Sequence, residues 1–392
     1  MHNHCFIGNF TAVEPAHHLA QGASLAWLAE SHTRAAQTLA DQRKEPFNAD
    51  EFRLGMTRRV ARFGCGDDKI GYRGVELPDC GHTDWDRMLV YRLHEKATGE
   101  GTLVRTRTYG RLADSVFSRL YEARESPPRD LLHVTCTGYE CPSAAQRLVA
   151  ARGWGKHTRV THAYHMGCYA TLPALRVASA LAAVETSRGA VGRFVDVAHT
   201  EFCSLHLNPV LHTPEQIVVQ TLFADGFITY SVTADPRRHG AAAALALLAL
   251  HEETLPDSAD AMTWVCSDSG MHMTLARDVP ERIVASLGRL VTNLCDDAGL
   301  TEAERRSALF AIHPGGPRIL DIVRDALHLS EEQIAFGRRV LFARGNMSSA
   351  TLPYIWRDLV ASEGVPDGQP IVSLAFGPGL TLCGAVLRKC GS

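Results

Sequence analysis

Arg159-Val160-Thr161-His162-Ala163-Tyr164-His165-Met166-Gly167-Cys168-Tyr169-Ala170-Thr171-Leu172-Pro173-Ala174-Leu175 is the stretch on which the fold class turns. Its first six residues alternate in the manner of a half-buried strand. Gly167-Cys168 is a junction. The run beyond it, residues 169–185, is small-residue and almost wholly apolar, so it reads as a buried helix. Upstream, 131–137 reads as a short apolar strand, and 142–152 as a helix with proline near its first turn. Downstream, 191–198 reads as a strand. Thr213-Pro214-Glu215-Gln216 is a capping box that opens a helix, and 227–232 is a strand rich in β-formers.

The second half repeats the rhythm. Residues 280–294 read as a helix and 308–312 as a strand ending at His313. Ser330-Glu331-Glu332-Gln333 is a second capping box, whose helix ends at Gly345, and a further helix starts near Met347. Residues 371–376 and 381–388 form a closing hairpin around Gly377-Pro378-Gly379. Strands alternating with helices in both halves predict an α/β fold with layered, buried sheets. The expected division is 1–234 and 235–392, at the polar loop 234–240. Residues 1–60 read as polar helices, with 24–39 the best patterned.

Composition narrows the function. The chain has 392 residues, a net charge of −3, 45% hydrophobic and 21% charged residues. These values exclude a disordered chain and give no electrostatic reason to bind nucleic acid. No uninterrupted apolar run is long enough to span a bilayer; 241–250 is half a span and ends in His251-Glu252-Glu253. No membrane partner is expected. The N-terminus lacks the pattern of a secretory signal. The 11 cysteines are scattered without a Cys-x-x-Cys pair, which predicts free thiols and a reducing, cytoplasmic location. None of the 19 histidines has zinc spacing, so no metal site is expected. Gly153-Trp154-Gly155-Lys156-His157-Thr158 lacks the spacing of a phosphate-binding loop and reads as a plain loop.

Three junctions share one design, in which a strand or loop ends, a reactive side chain appears, and small residues follow. Cys168 stands before a helix, where unpaired N–H groups and the helix dipole favour thiolate. His313 ends an apolar strand before Pro314-Gly315-Gly316-Pro317. Asn346 follows Gly345 and precedes Met347-Ser348-Ser349-Ala350. Each alone has a bland reading: an inert buried thiol, a hydrogen-bonded histidine, an ordinary cap. Together they make a set of nucleophile, base and orienting group.

These strings, with Gly138-Tyr139-Glu140-Cys141-Pro142, Gln220-Thr221-Leu222-Phe223-Ala224-Asp225-Gly226, Pro256-Asp257-Ser258 and Phe376-Gly377-Pro378-Gly379-Leu380-Thr381, resemble the type III polyketide synthases. That is the chalcone-synthase-like branch of the thiolase-fold condensing enzymes, here with a bacterial flavour in Glu201-Phe202-Cys203-Ser204-Leu205. The resemblance covers roughly residues 130–390; the first 120 match poorly. It implies a layered αβαβα fold from two similar halves and a homodimer. It implies decarboxylative Claisen condensation of malonyl-CoA onto an acyl thioester held on Cys168, with no cofactor beyond the coenzyme A thioesters. Cys168, His313 and Asn346 would be catalytic. Backbone N–H groups at Cys168 and in the Gly377-Pro378-Gly379 loop would hold the oxyanion.

The resemblance also implies substrate contacts at Phe223, a gatekeeper, and at Trp264, Met273, His206, Cys141, Ser348, Gly377 and Pro378. Trp264 falls where chalcone synthase has a cavity-lining glycine, which implies a reshaped, shortened cavity. His206 replaces a cavity threonine, Met273 a phenylalanine, and Cys141 a methionine that enters the partner subunit's site. Coenzyme A would meet Arg318, Gly315, Gly316, Arg59 and Arg62, with Arg58 and Lys69 in the same stretch as the last two. Only loose register there leaves an acyl carrier protein open as starter donor. The product would be a pyrone, a resorcinol-type ring or a β-keto chain. The rivals are a ketoacyl-ACP synthase III-like enzyme that joins or transfers acyl chains without iterating, and a non-catalytic decoy subunit.

Overall fold

The computed structural model describes residues 5–187, 194–235 and 243–391. Its strands are β1 (Cys5–Val13), β2 (His17–Ala20), β3 (Tyr72–Val75), β4 (Asp130–Thr135), β5 (Arg159–Tyr164), β6 (Val195–Glu201), β7 (Gly226–Thr233), β8 (Ala244–Thr254), β9 (Met262–Ser267), β10 (Gly270–Leu275), β11 (Leu309–Ile312), β12 (Pro370–Gly377) and β13 (Thr381–Cys390). Nine of them form one sheet in the order β11-β12-β13-β8-β1-β7-β6-β4-β5. β4 runs parallel to both β5 and β6, and β11 parallel to β12. β1 lies antiparallel between β7 and β8 and joins the two halves edge to edge.

Two helices, Thr171–Ser187 and Thr351–Ala361, each touch strands of both halves and share one core cluster. They are the middle layer. Helices Thr102–Leu120 and Ala144–Ala151 pack in a second cluster on the first half. Val279–Asp297 and Pro317–Ala326 pack in a third on the second half. The stretch Gly167–Glu185 is long and apolar enough to cross a membrane by composition alone. Here it is a core helix: Leu172, Ala174, Leu175 and Ala178 are fully buried. A middle-layer helix meets protein on more than one side, so it loses the polar face of a surface helix.

Local chemistry fixes the element ends. Ser330 forms the expected capping box with Gln333, and Thr213 accepts the Gln216 N–H. One reading is corrected. The described residues open in strands rather than helices: β1 and β2 precede the helix Gln21–Arg43. Pairing with two neighbours outweighs the weak local pattern of Cys5–Val13. The apolar run 241–250 is, from Ala244, the start of an 11-residue strand. Its leucines and alanines favour helix intrinsically, and the ladder with β13 and β1 overrides that preference. Residues 191–193 of the expected strand and 236–240 of the expected boundary loop lie outside the described residues.

Burial leaves several histidines neutral. It pushes His32, His199, His206 and His313 down to about 3, and His133 well below its ordinary value. Unfolded, each takes a proton as pH falls through about 6.5, so the unfolded state binds more protons and stability falls with pH. Burial raises the buried acids Asp225, to about 6, and Asp196 and Glu201, which work the other way. The histidines are more numerous, and the four at about 3 have moved further than Asp225. Urea unfolding is therefore expected to show a stability lower by at least about 2 kcal/mol at about pH 5 than at about pH 7; an unchanged midpoint would contradict their burial as neutral rings.

Candidate active site

Cys168 lies in the short turn Gly167–Tyr169, between β5 and the helix Thr171–Ser187. Gly167 has φ +75°, and a Cβ there would meet Pro378 Cδ at 2.8 Å. Glycine thus lets the turn press against the Gly377-Pro378 loop. His313 extends the parallel ladder past β11: its N–H donates to the Leu374 carbonyl at 2.7 Å, and its own carbonyl accepts from Gly315 N–H at 2.9 Å. Asn346 follows the helix Glu331–Arg344, which Gly345 stops at φ +73°. It forms a parallel bridge with Phe223: Asn346 N–H donates to Leu222 O at 3.0 Å, and Asn346 O accepts from Ala224 N–H at 2.8 Å. Its side-chain oxygen accepts from Ser348 N–H at 2.9 Å and from Thr351 Oγ1 at 3.4 Å. With Oδ1 anchored, Nδ2 is the free end of the amide.

The three side chains, some 180 residues apart in the chain at most, line one cavity of about 800 Å³. All three are buried. Neither ring nitrogen of His313 has a hydrogen-bond partner, and neither does Asn346 Nδ2. Leaving such atoms dry and unpaired costs about 1–3 kcal/mol each. Cys168 Sγ lies 3.9 Å from Ser348 Oγ. Burial dominates and pushes the thiol up to about 12, against the Ser348 hydroxyl, Asn346 and the Cys168 backbone N–H, which favour its thiolate. The lowered pKa expected from the helix start is not realised: desolvation outweighs the local donors. The resting pair is thiol and neutral imidazole.

A second, narrower cavity of about 60 Å³ opens on the other side of Cys168. Phe223 and Met273 line both cavities and stand at the neck between them. Trp264, His206, Ser348 and Pro378 line the inner one. The Trp264 indole N–H donates to Cys136 O at 2.7 Å. His206 meets that indole edge to face at 5.7 Å. One His206 nitrogen faces Thr137 O at 2.8 Å and the other accepts Met271 N–H at 3.2 Å, so both are used within the wall. Arg318, Gly315 and Gly316 line the outer cavity with Lys69; Arg318 is ion-paired to Glu281 at 3.2 Å. Arg59 donates to His212 O, and Arg62 lies over the Phe63 ring. These two, Gly377 and the exposed Cys141 are not among the cavity-lining residues.

The sequence reading assigned no role to Cys136, Cys203, His272 or Glu201. The first three line the inner cavity. Glu201 is fully buried behind it, accepting from Cys136 N–H at 3.0 Å, Thr137 Oγ1 at 3.0 Å and Ser349 Oγ. Burial raises its pKa. Glu201 and Cys203 did fall in a motif string, but a lone carboxylate on a strand carries no signal of its own.

Known proteins fit this geometry. The family description "Chalcone and stilbene synthases, N-terminal domain" matches residues 125–236, and its C-terminal counterpart matches residues 247–391. Type III polyketide synthase C of Arabidopsis thaliana is 29% identical over 266 residues, 66% of this chain and 67% of that protein. The C-terminal type III polyketide synthase domain of Steely1 from Dictyostelium superposes with a TM-score of 0.79 at 22% identity, covering 98% of this chain and 99% of the other. For 1,3,6,8-tetrahydroxynaphthalene synthase of Streptomyces coelicolor the TM-score is 0.77 at 20% identity, covering 99% and 100%. The fold is the thiolase-like one of these enzymes, and it extends through the first 120 residues, where the sequence resemblance is poor.

The chain belongs to the chalcone and stilbene synthase family. It is a type III polyketide synthase, an enzyme that forms carbon–carbon bonds by acyl transfer and condenses malonyl-CoA with acyl thioesters.

If His313 takes the Cys168 proton, His313→Ala leaves a buried thiol without its proton acceptor. Alkylation of Cys168 by iodoacetamide near neutral pH is then expected to slow about tenfold or more, with a rate that keeps climbing as pH rises. Equal rates in variant and wild type would show that the imidazole takes no part.

Proposed function

We propose that Cys168 carries the acyl chain while His313 and Asn346 bind the oxygen of the malonyl thioester. The supporting observation is the set of unpaired donor sites on His313 and Asn346, buried in the cavity that Cys168 shares. A thioester carbonyl oxygen is the partner they lack. In the first step Cys168 sulfur attacks the starter thioester, its proton passes to His313, and the coenzyme A thiolate leaves with that proton. In the second, malonyl thioester loses CO₂, and the electron pair of the broken C–C bond forms an enolate whose oxygen faces the same donors. Charge develops at that oxygen, so fixed donors stabilise the transition state more than the ground state. The enolate carbon then attacks the acyl carbon on Cys168 and releases its sulfur. Phe223 at the neck offers no partner for the malonate carboxylate and favours its loss, while Ser348 sits against the reacting sulfur. Backbone N–H groups at Cys168 and in the Gly377-Pro378-Gly379 loop are the oxyanion donors for acyl transfer.

The inner cavity argues for a short acyl starter and few extensions. Its volume corresponds to about four water molecules, and Trp264 is pinned across it. A β-keto chain or a small pyrone suits that space better than a resorcinol-type ring from a long chain. Lys69, Arg318 and the Gly315-Gly316 turn at the outer cavity suit the phosphates and pantetheine arm of coenzyme A. An acyl carrier protein presents the same arm and is the second donor to test. The enzyme works as a homodimer through β5, an edge strand whose outer backbone groups are unpaired in one chain; the exposed Cys141 nearby is then a partner-facing residue. Free cysteines throughout the described residues fit a cytoplasmic protein. No cofactor is required by these steps.

Incubation with malonyl-CoA and a panel of acyl-CoAs, with mass spectrometry of products and of the Cys168 peptide, tests the reading. Wild type should give condensed products and an acylated Cys168; Cys168→Ala should give neither. Condensation by Cys168→Ala would overturn it. A non-iterating ketoacyl-synthase-like enzyme would stop after one extension with every starter. Trp264→Gly should lengthen the products by at least one malonyl-derived unit. An unchanged product length would mean that the indole does not set the cavity's end.

A further inference from the structure

Phe223 also walls a third cavity, of about 30 Å³, which none of Cys168, His313 and Asn346 lines. Its polar lining is Ser24, Arg73, Cys80 and Ser204; the rest is apolar or aromatic. Arg73 is 6% exposed. Its Nε donates to Gln21 Oε1 at 2.8 Å, and its Nη1 to the Gln220 and Phe223 carbonyls at 2.9 Å each. The guanidinium thus closes the C-terminal end of the helix Pro214–Leu222. Nη2 carries its uncommitted N–H groups: among the described residues it donates to nothing, and no carboxylate ion-pairs with Arg73. Asp225 acts on it only from a distance. The Asp225 oxygens are engaged by Glu76 N–H at 2.7 Å, Ser204 N–H at 2.8 Å and Ser204 Oγ at 2.7 Å. Ser24 Oγ, on the helix Gln21–Arg43, is buried without a partner. Burial pushes the Cys80 thiol well up, so it keeps its proton.

These groups are donors around a positive charge. Burial lowers the guanidinium only to about 10, so it stays charged near neutral pH. The carbonyls at Nη1 offset part of that charge and leave the Nη2 side bare. A cation would be repelled there. A water molecule would fill the space without compensating the charge. The volume is about twice the minimum that holds one water, which suits a chloride ion and is too small for a tetrahedral oxyanion. We propose that this cavity binds one chloride ion, held by Arg73 Nη2, the Ser24 hydroxyl and the Cys80 thiol at the back of Phe223. The ion compensates a charge that is costly to bury alone. It also fixes the side chain that grips the Phe223 carbonyl, and so backs the residue at the neck between the two substrate cavities. The distant Asp225 carboxylate weakens the site, but its oxygens are turned to other donors.

The test is a thermal-melt titration of the whole chain at constant ionic strength, with potassium chloride replacing potassium gluconate, whose anion is too large for the cavity. Wild type should show a saturable rise in Tm of about 2 °C or more. Bromide should substitute for chloride, and crystals grown with bromide should show an anomalous peak beside Arg73 Nη2. Ser24→Ala should need about tenfold more chloride for half the rise, the loss expected for one hydrogen bond to an ion. Ser24→Asp places a carboxylate where the ion sits, so its Tm should not respond to chloride. Arg73→Gln would also remove a helix cap, so the two Ser24 variants carry the comparison. A Tm that responds to chloride and gluconate alike, or crystals without the peak, would mean that water alone fills the cavity, and either result overturns the proposal. A bromide peak with no chloride response in solution is binding at crystal concentration only and overturns it as well. A saturable rise that survives unchanged in Ser24→Asp places the ion elsewhere on the protein and overturns this site.

Discussion

A buried polar atom without a partner is a cost that a fold avoids unless something else fills it. Three such atoms, both ring nitrogens of His313 and Asn346 Nδ2, lie in the cavity that holds Cys168, while the others, as on His32 and Tyr230, do not line it. The remainder of the architecture keeps these three in place. β11 hands His313 to the Leu374 carbonyl. The bridge between Asn346 and Phe223 couples the amide to the residue at the neck. Ser348 N–H and Thr351 hold the amide oxygen, so the amide nitrogen cannot turn away. Such donors need no reorganisation when charge appears on a substrate oxygen, and this fixity gives them their catalytic value.

Desolvation cuts both ways in this site. It raises the Cys168 thiol and lowers the His313 imidazole, so neither charge forms readily alone. Passing the proton from one to the other creates both charges together, and their mutual attraction is strong where water is excluded. The same dryness protects a thioester from hydrolysis. The wall of Trp264 and His206 belongs to this logic. Both His206 nitrogens and the indole N–H are used within the wall, which leaves the inner cavity largely apolar.

Much of the layered fold was legible in the sequence, because its signals were local. β5 at Arg159–Tyr164 and the helix after Cys168 announce themselves by periodicity, and Ser330 by its capping box. Cys5–Val13 and Ala244–Thr254 were not legible as strands, since their stability comes from partners more than 120 residues away. For the site, the Cys, His and Asn junctions could be read because glycines mark the turns that carry them. Cys136 could not: it is one of 11 cysteines, and only its three-dimensional neighbours Ser348 and Glu201 set it apart. The high pKa of Cys168 was hidden for a related reason. A helix start is visible in sequence, whereas the depth of burial that overrides it is not.

The most direct test of the central claim removes the nucleophile and asks whether the oxygen-binding donors still work. CO₂ release from malonyl-CoA should persist in Cys168→Ala. Adding Asn346→Ala should lower it by about 10²–10³-fold, the usual loss for one such donor. Undiminished release in the double variant would show that the amide does not hold the enolate oxygen, and the account of the site would fail.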